Sequence, residues 1–226
     1  MLRDLITDPD KSVRMAVARQ LSQFPADQLP GSSATELQAL FREYLASMKF
    51  NADMPEEQMN LGLFYSASGN PPEAEKAYRE ALRISKQMVD EVPDKPEYQH
   101  DLATNHGNLA RLLAMTGRSQ EAEDAYREGL DVQEQLVAEC PGVPEYQDRL
   151  AGLHTRLGRL LYTTGRFADA QKAFRKAIDS QEQLAAEYPE VLRYRRSLTE
   201  TLNGLASLLA TCPDTQFRDA RQAAQL

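Results

Sequence analysis

Three histidines are the residues of this sequence best suited to binding a metal or moving a proton. His106 and His154 are 48 residues apart, so they occupy the same place in successive sequence units. A ladder of such imidazoles could bind metal ions, but the next position in the series is Leu202. A position that accepts leucine in another repeat is a core position, so we predict that His106 and His154 are packed in the interior. We also predict that His100 is solvated and that the chain binds no metal or cofactor.

Carboxylates are abundant but do not form a recognisable catalytic pair. They lie close in sequence to arginines, which is typical of a solvated surface with salt bridges. The examples are Glu121, Glu123, Asp124, Glu128, Glu182 and Glu187, beside Arg79, Arg127 and Arg175. The strings G-x-x-x-x-G-K-[ST], G-x-S-x-G and H-E-x-x-H do not occur. We therefore predict that the chain is not an enzyme.

The two cysteines carry no evident chemistry. Cys140 and Cys212 are far apart and form no C-x-x-C pair, so they define neither a disulfide framework nor a metal or haem site. We expect both to be small thiols that are buried or half-buried.

Arginines are the one group whose spacing suggests binding. Arg111 and Arg159 are 48 residues apart, and Arg156 precedes Arg159 by three residues. On a helix, that spacing places Arg156 and Arg159 on the same side, one turn apart. Arginine forms forked hydrogen bonds to carboxylates, so this group suits an acidic peptide or a terminal carboxylate. The alternative is that these arginines only solubilise the surface.

Composition restricts the kind of partner. The chain has 42% hydrophobic and 27% charged residues, which is typical of a folded globular protein. Its net charge of −8 argues against binding to a nucleic-acid backbone. The sequence contains neither an apolar run near the roughly 18 residues that a membrane span needs nor the apolar core of a signal peptide. We therefore expect a cytoplasmic chain with no nucleic-acid or membrane partner.

A repeat of 48 residues organises most of the sequence. Tyr98, Tyr146 and Tyr194 mark three segments of similar sequence, beginning PEYQHDLA, PEYQDRLA and LRYRRSLT. Within each unit, a first helix of about 97–115 and a second of about 119–139 are predicted from apolar residues spaced by three, four and seven. Gly117 ends the first helix, and strand patterns are absent. The sequence therefore predicts an all-α fold of stacked helix pairs.

The segment NLGLFYSASGNPPEAEKAYREAL, from Asn60, resembles the tetratricopeptide repeat signature. The resemblance rests on Leu61-Gly62, an aromatic residue three positions later, and the small and aromatic residues Gly69, Ala74, Tyr78 and Ala81. It implies a right-handed α-solenoid of antiparallel helix pairs in which first helices line a concave wall. The later units depart from the signature, because leucine replaces the first aromatic and the second helix is longer. This longer form is similar to repeats in large bacterial multi-domain proteins.

The repeat register predicts the boundaries. The array is expected over 51–226, with units of about 51–95, 96–143, 144–191 and 192–226, the last one short. The N-terminal segment, 1–50, resembles a HEAT-repeat helix, with a stripe of Val13, Ala16, Val17 and Leu21, followed by a divergent tetratricopeptide helix over 37–48. A second helix from about Thr215 closes the array, and it is either a short cap or the end of a fragment.

The resemblance also predicts a groove and its function. The wall positions form a predicted groove set, which consists of Asn108, Arg111, Arg156, Arg159 and Tyr162. The favoured function is a scaffold that binds a partner protein or peptide, with an acidic segment as one candidate. The alternative is a regulatory or docking appendage of a larger bacterial enzyme, such as a kinase or a multihaem cytochrome, although no C-x-x-C-H haem motif occurs. Two aromatic residues of one register, Tyr126 and Phe174, are expected between the helices of their units.

Overall fold

The structure, a computed structural model, describes residues 2–21 and 34–223 of the 226-residue chain. Every regular element within these two ranges is helical, which confirms the predicted all-α class. The chain contacts divide into two compact units, Met1–Glu91 and Val92–Leu226, which are described separately.

The first unit contains five helices in its described part. These are α1 (Leu2–Ile6), α2 (Lys11–Leu21), α3 (Ala34–Phe50), α4 (Pro55–Ala67) and α5 (Pro71–Glu91). The predicted helix over 37–48 is confirmed as part of α3, whose Leu37, Leu40, Tyr44 and Met48 are all buried in the core of this unit. The first helix of the following pair, α4, has 13 residues and is shorter than the 20-residue α6.

The N-terminal helix α2 buries a different face from the predicted one. Ala16 is exposed, whereas Ala18 is fully buried. The reason is that α2 packs against α1 on one side and α3 on the other, so its buried face extends to Ala18 and the half-buried Met15. Arg14 and Glu43 add an ion pair of 2.7 Å between α2 and α3.

The second unit repeats one helix pair at the predicted step. Its helices are α6 (Pro96–Met115), α7 (Ser119–Glu139), α8 (Pro144–Thr163), α9 (Phe167–Glu187) and α10 (Leu192–Thr211). Prolines occupy the first positions of α6 and α8, where the missing N–H costs no hydrogen bond. Gly117 and Gly165 adopt φ values of 80° and 79° after α6 and α8, a left-handed conformation that ends each helix.

The C-terminal segment differs from the predicted single helix. A 3₁₀ turn covers Thr215–Phe217, and α11 covers only Ala220–Ala223. The helix starts this late because the Asp219 carboxylate caps it, accepting a 2.9 Å hydrogen bond from the Gln222 N–H. The predicted continuation over 224–226 lies outside the described residues.

Packing within the second unit produces a continuous wall of first helices. The helices pack as pairs, α6 with α7 and α8 with α9, and each second helix also contacts the following first helix. In addition, α6 contacts α8 and α8 contacts α10 directly. We call the joint surface of α6, α8 and α10 the first-helix wall. These antiparallel pairs confirm the predicted stacking of repeats.

Aromatic rings set the spacing between helices. Tyr126 is 3% and Phe174 is 1% exposed, as predicted for both residues. The Phe174 ring lies between two glycines, Gly158 on α8 and Gly204 on α10, and a Cβ atom added at either would come within 2.9 Å of it. Glycine at these two positions therefore allows the ring to hold α8 and α10 at the distance that shapes the wall.

Candidate functional site

A cavity of about 340 Å³ opens in the first-helix wall. Residues Arg149, Gly152, Arg156 and Arg159 of α8 line it, at spacings of three, four and three that place them on one helix face. His100 of α6 and Arg193 of α10 line it from the neighbouring first helices. The direct contacts of α8 with α6 and α10 thus bring side chains from three repeats into one site.

The floor of the cavity is polar and uncharged. The buried hydroxyls of Thr155 and Thr201 lie 2.8 Å apart, so one donates a hydrogen bond to the other. The accepting hydroxyl donates to a carbonyl one turn earlier in its own helix, because such a carbonyl lies within reach of either residue. Gln181 of α9, which is 1% exposed, completes this floor. Such a floor can hydrogen-bond a ligand but cannot neutralise its charge, so the charge of a bound group must be met by the arginines.

Two of these arginines are half-buried and form no contact ion pair. Burial lowers the pKa of the Arg149 and Arg156 guanidiniums, and neighbouring positive charges act in the same direction. Asp148 and Asp101 oppose the decrease at Arg149, and Tyr126 and Glu200 oppose it at Arg156. Both groups nevertheless stay protonated, because an arginine does not lose its proton in a protein. Within the part of the chain that the structure describes, neither guanidinium forms a hydrogen bond or a contact ion pair. The site therefore holds partly desolvated positive charge that an anion would neutralise.

Three arginines of the predicted groove set lie close enough to Tyr126 to act on its hydroxyl group. Burial raises the pKa of the Tyr126 hydroxyl, and the positive charges of Arg156, Arg111 and Arg159 oppose that increase. Arg111 and Arg159 also act electrostatically on Arg156. We call Arg111, Arg149, Arg156 and Arg159 the arginine cluster.

The other two members of the predicted groove set are placed differently. Asn108 is 8% exposed and lies within the α6 packing. The Tyr162 hydroxyl lies 2.9 Å from the Thr211 Oγ1, and its ring packs 6.0 Å from the Phe167 ring. Tyr162 is thus already engaged near the C-terminal end of α8, and the assignment of all five residues to a binding site stays a prediction.

The sequence patterns did not identify two residues that line the cavity, Arg149 and Arg193. Arg149 precedes Arg156 by seven residues, a spacing that places it on the same helix face and could have revealed it. Arg193 forms an ion pair of 3.1 Å with Asp148 of the preceding repeat, and local sequence patterns do not predict such a contact. The Asp148 carboxylate is half-buried, and burial raises its pKa while Arg193 opposes the increase.

His100 was predicted to be solvated, and that prediction is wrong. The imidazole is half-buried, and its ring centroid lies 5.2 Å from that of Tyr146. Burial lowers its pKa, and the positive charge of Arg149 acts in the same direction. The sequence could not show this because Tyr146 belongs to the next repeat and packs over His100 only when the first helices stack.

The other polar residues that were considered for chemistry are packed or paired. His154 is 7% exposed, and burial lowers its pKa to about 4, whereas His106 is half-buried beside Glu128. Glu123 was predicted to lie on a solvated surface, and that prediction is wrong. Its side chain is 6% exposed and is paired with Arg127 and Arg166. The cysteines are free, one half-buried and one buried, as predicted.

Neither a metal-binding group nor a membrane-spanning helix is present among the described residues. Among residues 2–21 and 34–223, no group of three histidine, cysteine, aspartate or glutamate side chains is arranged to hold a metal ion. In the same ranges, no helix combines the length and the apolar character needed to cross a bilayer.

Comparisons with known proteins agree with this geometry. Two models of the tetratricopeptide repeat family match the chain, over residues 58–135 and 155–198. The crystal structure of BtubC (BKLC) from P. vanneervenii is similar to the structure of the chain, with a TM-score of 0.51 and 18% sequence identity. The alignment covers 90% of this chain and 81% of that one, and at this identity it shows a shared fold. A search of curated proteins found no significant match.

Proposed function

Because the chain belongs to the tetratricopeptide repeat family, whose members generally mediate protein–protein interactions, we propose that its first-helix wall binds an acidic segment of a partner protein. The family is typically non-catalytic, and we propose no reaction for this chain. The proposed binding residues are the predicted groove set together with Arg149. The observation that carries the proposal is the arginine cluster, in which half-buried guanidiniums lack an anion.

Desolvation explains why this cluster favours an acidic ligand. Removing a cation from water costs free energy unless a partner charge or hydrogen bonds replace the lost hydration. At Arg149 and Arg156 that cost is already met in the folded protein, because both guanidiniums are half-buried without a bound anion. A carboxylate placed between them would gain charge-assisted hydrogen bonds with little further desolvation of the protein.

The scaffold also supports selective association. The helices of the wall are held by packing along their whole length, so the wall itself loses little conformational entropy when a segment binds. The chain carries a net charge of −8, so most of its surface repels an acidic partner. A local positive cluster on such a surface steers the acidic segment to one place.

Titration of a fluorescent Asp/Glu-rich peptide, followed by anisotropy, tests the proposal. We expect the double variant Arg111→Glu/Arg159→Glu to abolish binding with little change in melting temperature, because both side chains are at least partly exposed. The matched control, Lys172→Glu/Arg175→Glu, reverses two exposed charges on the second helix α9 and should bind as the wild type does.

Salt dependence provides a second measurement. Binding should weaken as salt rises, because exposed charges are screened over about 10 Å at 0.1 M ionic strength. If the groove variant binds the peptide as tightly as its control does, the first-helix wall is not the binding surface. The second-helix face or the N-terminal helices would then be the next surfaces to test.

A further inference from the structure

The charges around the cavity are not balanced at the arginine cluster. Three carboxylates line the cavity, those of Glu145, Asp148 and Glu200. Asp148 is paired with Arg193 at 3.1 Å. The Glu200 carboxylate lies 3.4 Å from Arg196, which is outside the cavity. Glu145 is exposed at the start of α8, away from the helix centre. Asp148 and Asp101 nevertheless attract Arg149, and Glu200 attracts Arg156. The positive charge of the cluster is therefore only partly offset.

Arg156 is the centre of this excess. The positive charges of Arg111 and Arg159 act on it directly, and its own charge acts on Arg149. Its guanidinium lies beside Gly107 of α6, where a side-chain Cβ would be 4.0 Å from its Nη1 atom. The other three arginines of the cluster repel this half-buried charge, so a ligand with one negative charge would neutralise only a part of the cluster.

Resting on the proposed function, we propose that the preferred occupant of this cavity is a phosphorylated side chain of the partner peptide, bound by Arg149, Arg156 and Arg159. A phosphoryl group carries nearly two negative charges at neutral pH and has three acceptor oxygens. Its three oxygens can accept hydrogen bonds from three guanidiniums at once, whereas a carboxylate offers two acceptor oxygens and only one negative charge. The cavity, about 340 Å³ in volume, is large enough for such a side chain.

The wall around the cavity supports a peptide as the source of the phosphoryl group. Side chains of three neighbouring first helices line the cavity, so the residues that flank a phosphorylated side chain can contact the same wall. Free phosphate satisfies only the arginines, whereas a phosphopeptide can make these flanking contacts as well.

Three fluorescent peptides that differ at one residue test this inference on the full chain. One carries serine, one glutamate and one phosphoserine at the same position within a neutral sequence. We expect glutamate to bind more tightly than serine, and phosphoserine to bind roughly tenfold more tightly than glutamate, because the dianion makes additional charge-assisted bonds. Inorganic phosphate should displace the phosphopeptide only at concentrations far above the dissociation constant of that peptide.

The outcomes separate this inference from the proposed function. If glutamate and phosphoserine peptides bind equally and more tightly than serine, the phosphoryl inference is wrong and the acidic-segment proposal stands. If all three bind alike, both are wrong. Equal affinity for inorganic phosphate and the phosphopeptide would contradict the role of the peptide.

Two variants link the preference to the cavity. Arg156→Lys keeps the charge but loses the fork, so we expect it to reduce the ratio of phosphoserine to glutamate affinity. Arg175→Lys on α9 makes the same change at an exposed position outside the cavity and should leave the ratio unchanged. An unchanged ratio in Arg156→Lys would overturn the assignment of the phosphoryl group to this cavity.

Discussion

The seat of the Phe174 ring between two glycines yields the most specific prediction about stability. We consider Gly158→Ala, which adds one methyl group on α8 facing this ring. The added Cβ would lie 2.9 Å from both Cδ1 and Cε1 of Phe174, closer than van der Waals contact allows. The ring has little room to move toward α10, because a Cβ at Gly204 would also be 2.9 Å from its Cε1 atom.

Two opposing effects set the magnitude. Overpacking a tight interior costs about 1–3 kcal/mol, and the cost here lies near the upper end because the ring is held on both sides. Replacing glycine by alanine within a helix contributes about 1 kcal/mol of stability. We therefore expect Gly158→Ala to lower the free energy of unfolding by about 1–2 kcal/mol in the wild-type background.

Removing the ring should reverse the sign. Phe174→Ala alone should cost about 3–5 kcal/mol, because it leaves a cavity between α8 and α10. In that background the clash at residue 158 is gone, so Gly158→Ala should instead stabilise the protein by about 1 kcal/mol. The double-mutant cycle should thus show a coupling of about 2–3 kcal/mol.

Urea unfolding followed by circular dichroism measures all four proteins of the cycle. The control is Gly152→Ala on the same helix, where an added Cβ meets no atom within 4 Å. It should stabilise both backgrounds by up to about 1 kcal/mol. If Gly158→Ala changes stability by the same amount with and without the Phe174 ring, the ring does not set the spacing of α8 and α10.

Two further predictions concern buried charges. The pKa of His154 is about 4 in the folded protein against 6.5 when unfolded, so the unfolded state binds more protons between these pH values. The free energy of unfolding should therefore fall as pH drops from about 6.5 to 4. The loss should be at most on the order of 3 kcal/mol, because the Glu134 carboxylate, 3.6 Å away, stabilises the imidazolium. His154→Leu, the residue type found one repeat later, should flatten this dependence in melts across that pH range, and an unchanged slope would contradict it. Glu123→Gln should lower the free energy of unfolding by about 1–2 kcal/mol, because it removes a buried carboxylate shared by two half-exposed arginines. Asp179→Asn at an exposed site on α9 is its control in thermal unfolding, and equal losses would argue against a structural role for the shared pair.

Local sequence patterns were sufficient to predict the helices and the burial of the two aromatic rings. The 48-residue step places proline at the start of α6 and α8 and glycine after each, and these residues act through their own backbone geometry. Burial of Tyr126 and Phe174 followed from the same register. The pattern failed at α2, where Ala18 rather than Ala16 is buried, because two partner helices instead of one define the buried face.

The site was only partly predictable for a related reason. Arg156 and Arg159 were found because residues three apart along a helix are neighbours, and Arg111 was found because it shares the repeat register of Arg159. The pairing of Arg193 with Asp148 and the packing of His100 on Tyr146 join different repeats. The angle and distance at which repeats stack determine such contacts. The spacing of residues along one helix predicts neither quantity.

The sequence by itself therefore determined the all-α class, the repeat, the helix ends and the helix face on which the arginines lie, since each of these depends on residues close in the chain. Only the tertiary structure decided that Arg149 and Arg156 are half-buried without a contact ion pair, whereas Glu123 and Asp148 each form one. Burial and pairing depend on which side chains of neighbouring repeats reach the same space. That depends on how closely the helices approach, which in this protein is set by an aromatic ring seated on two glycines.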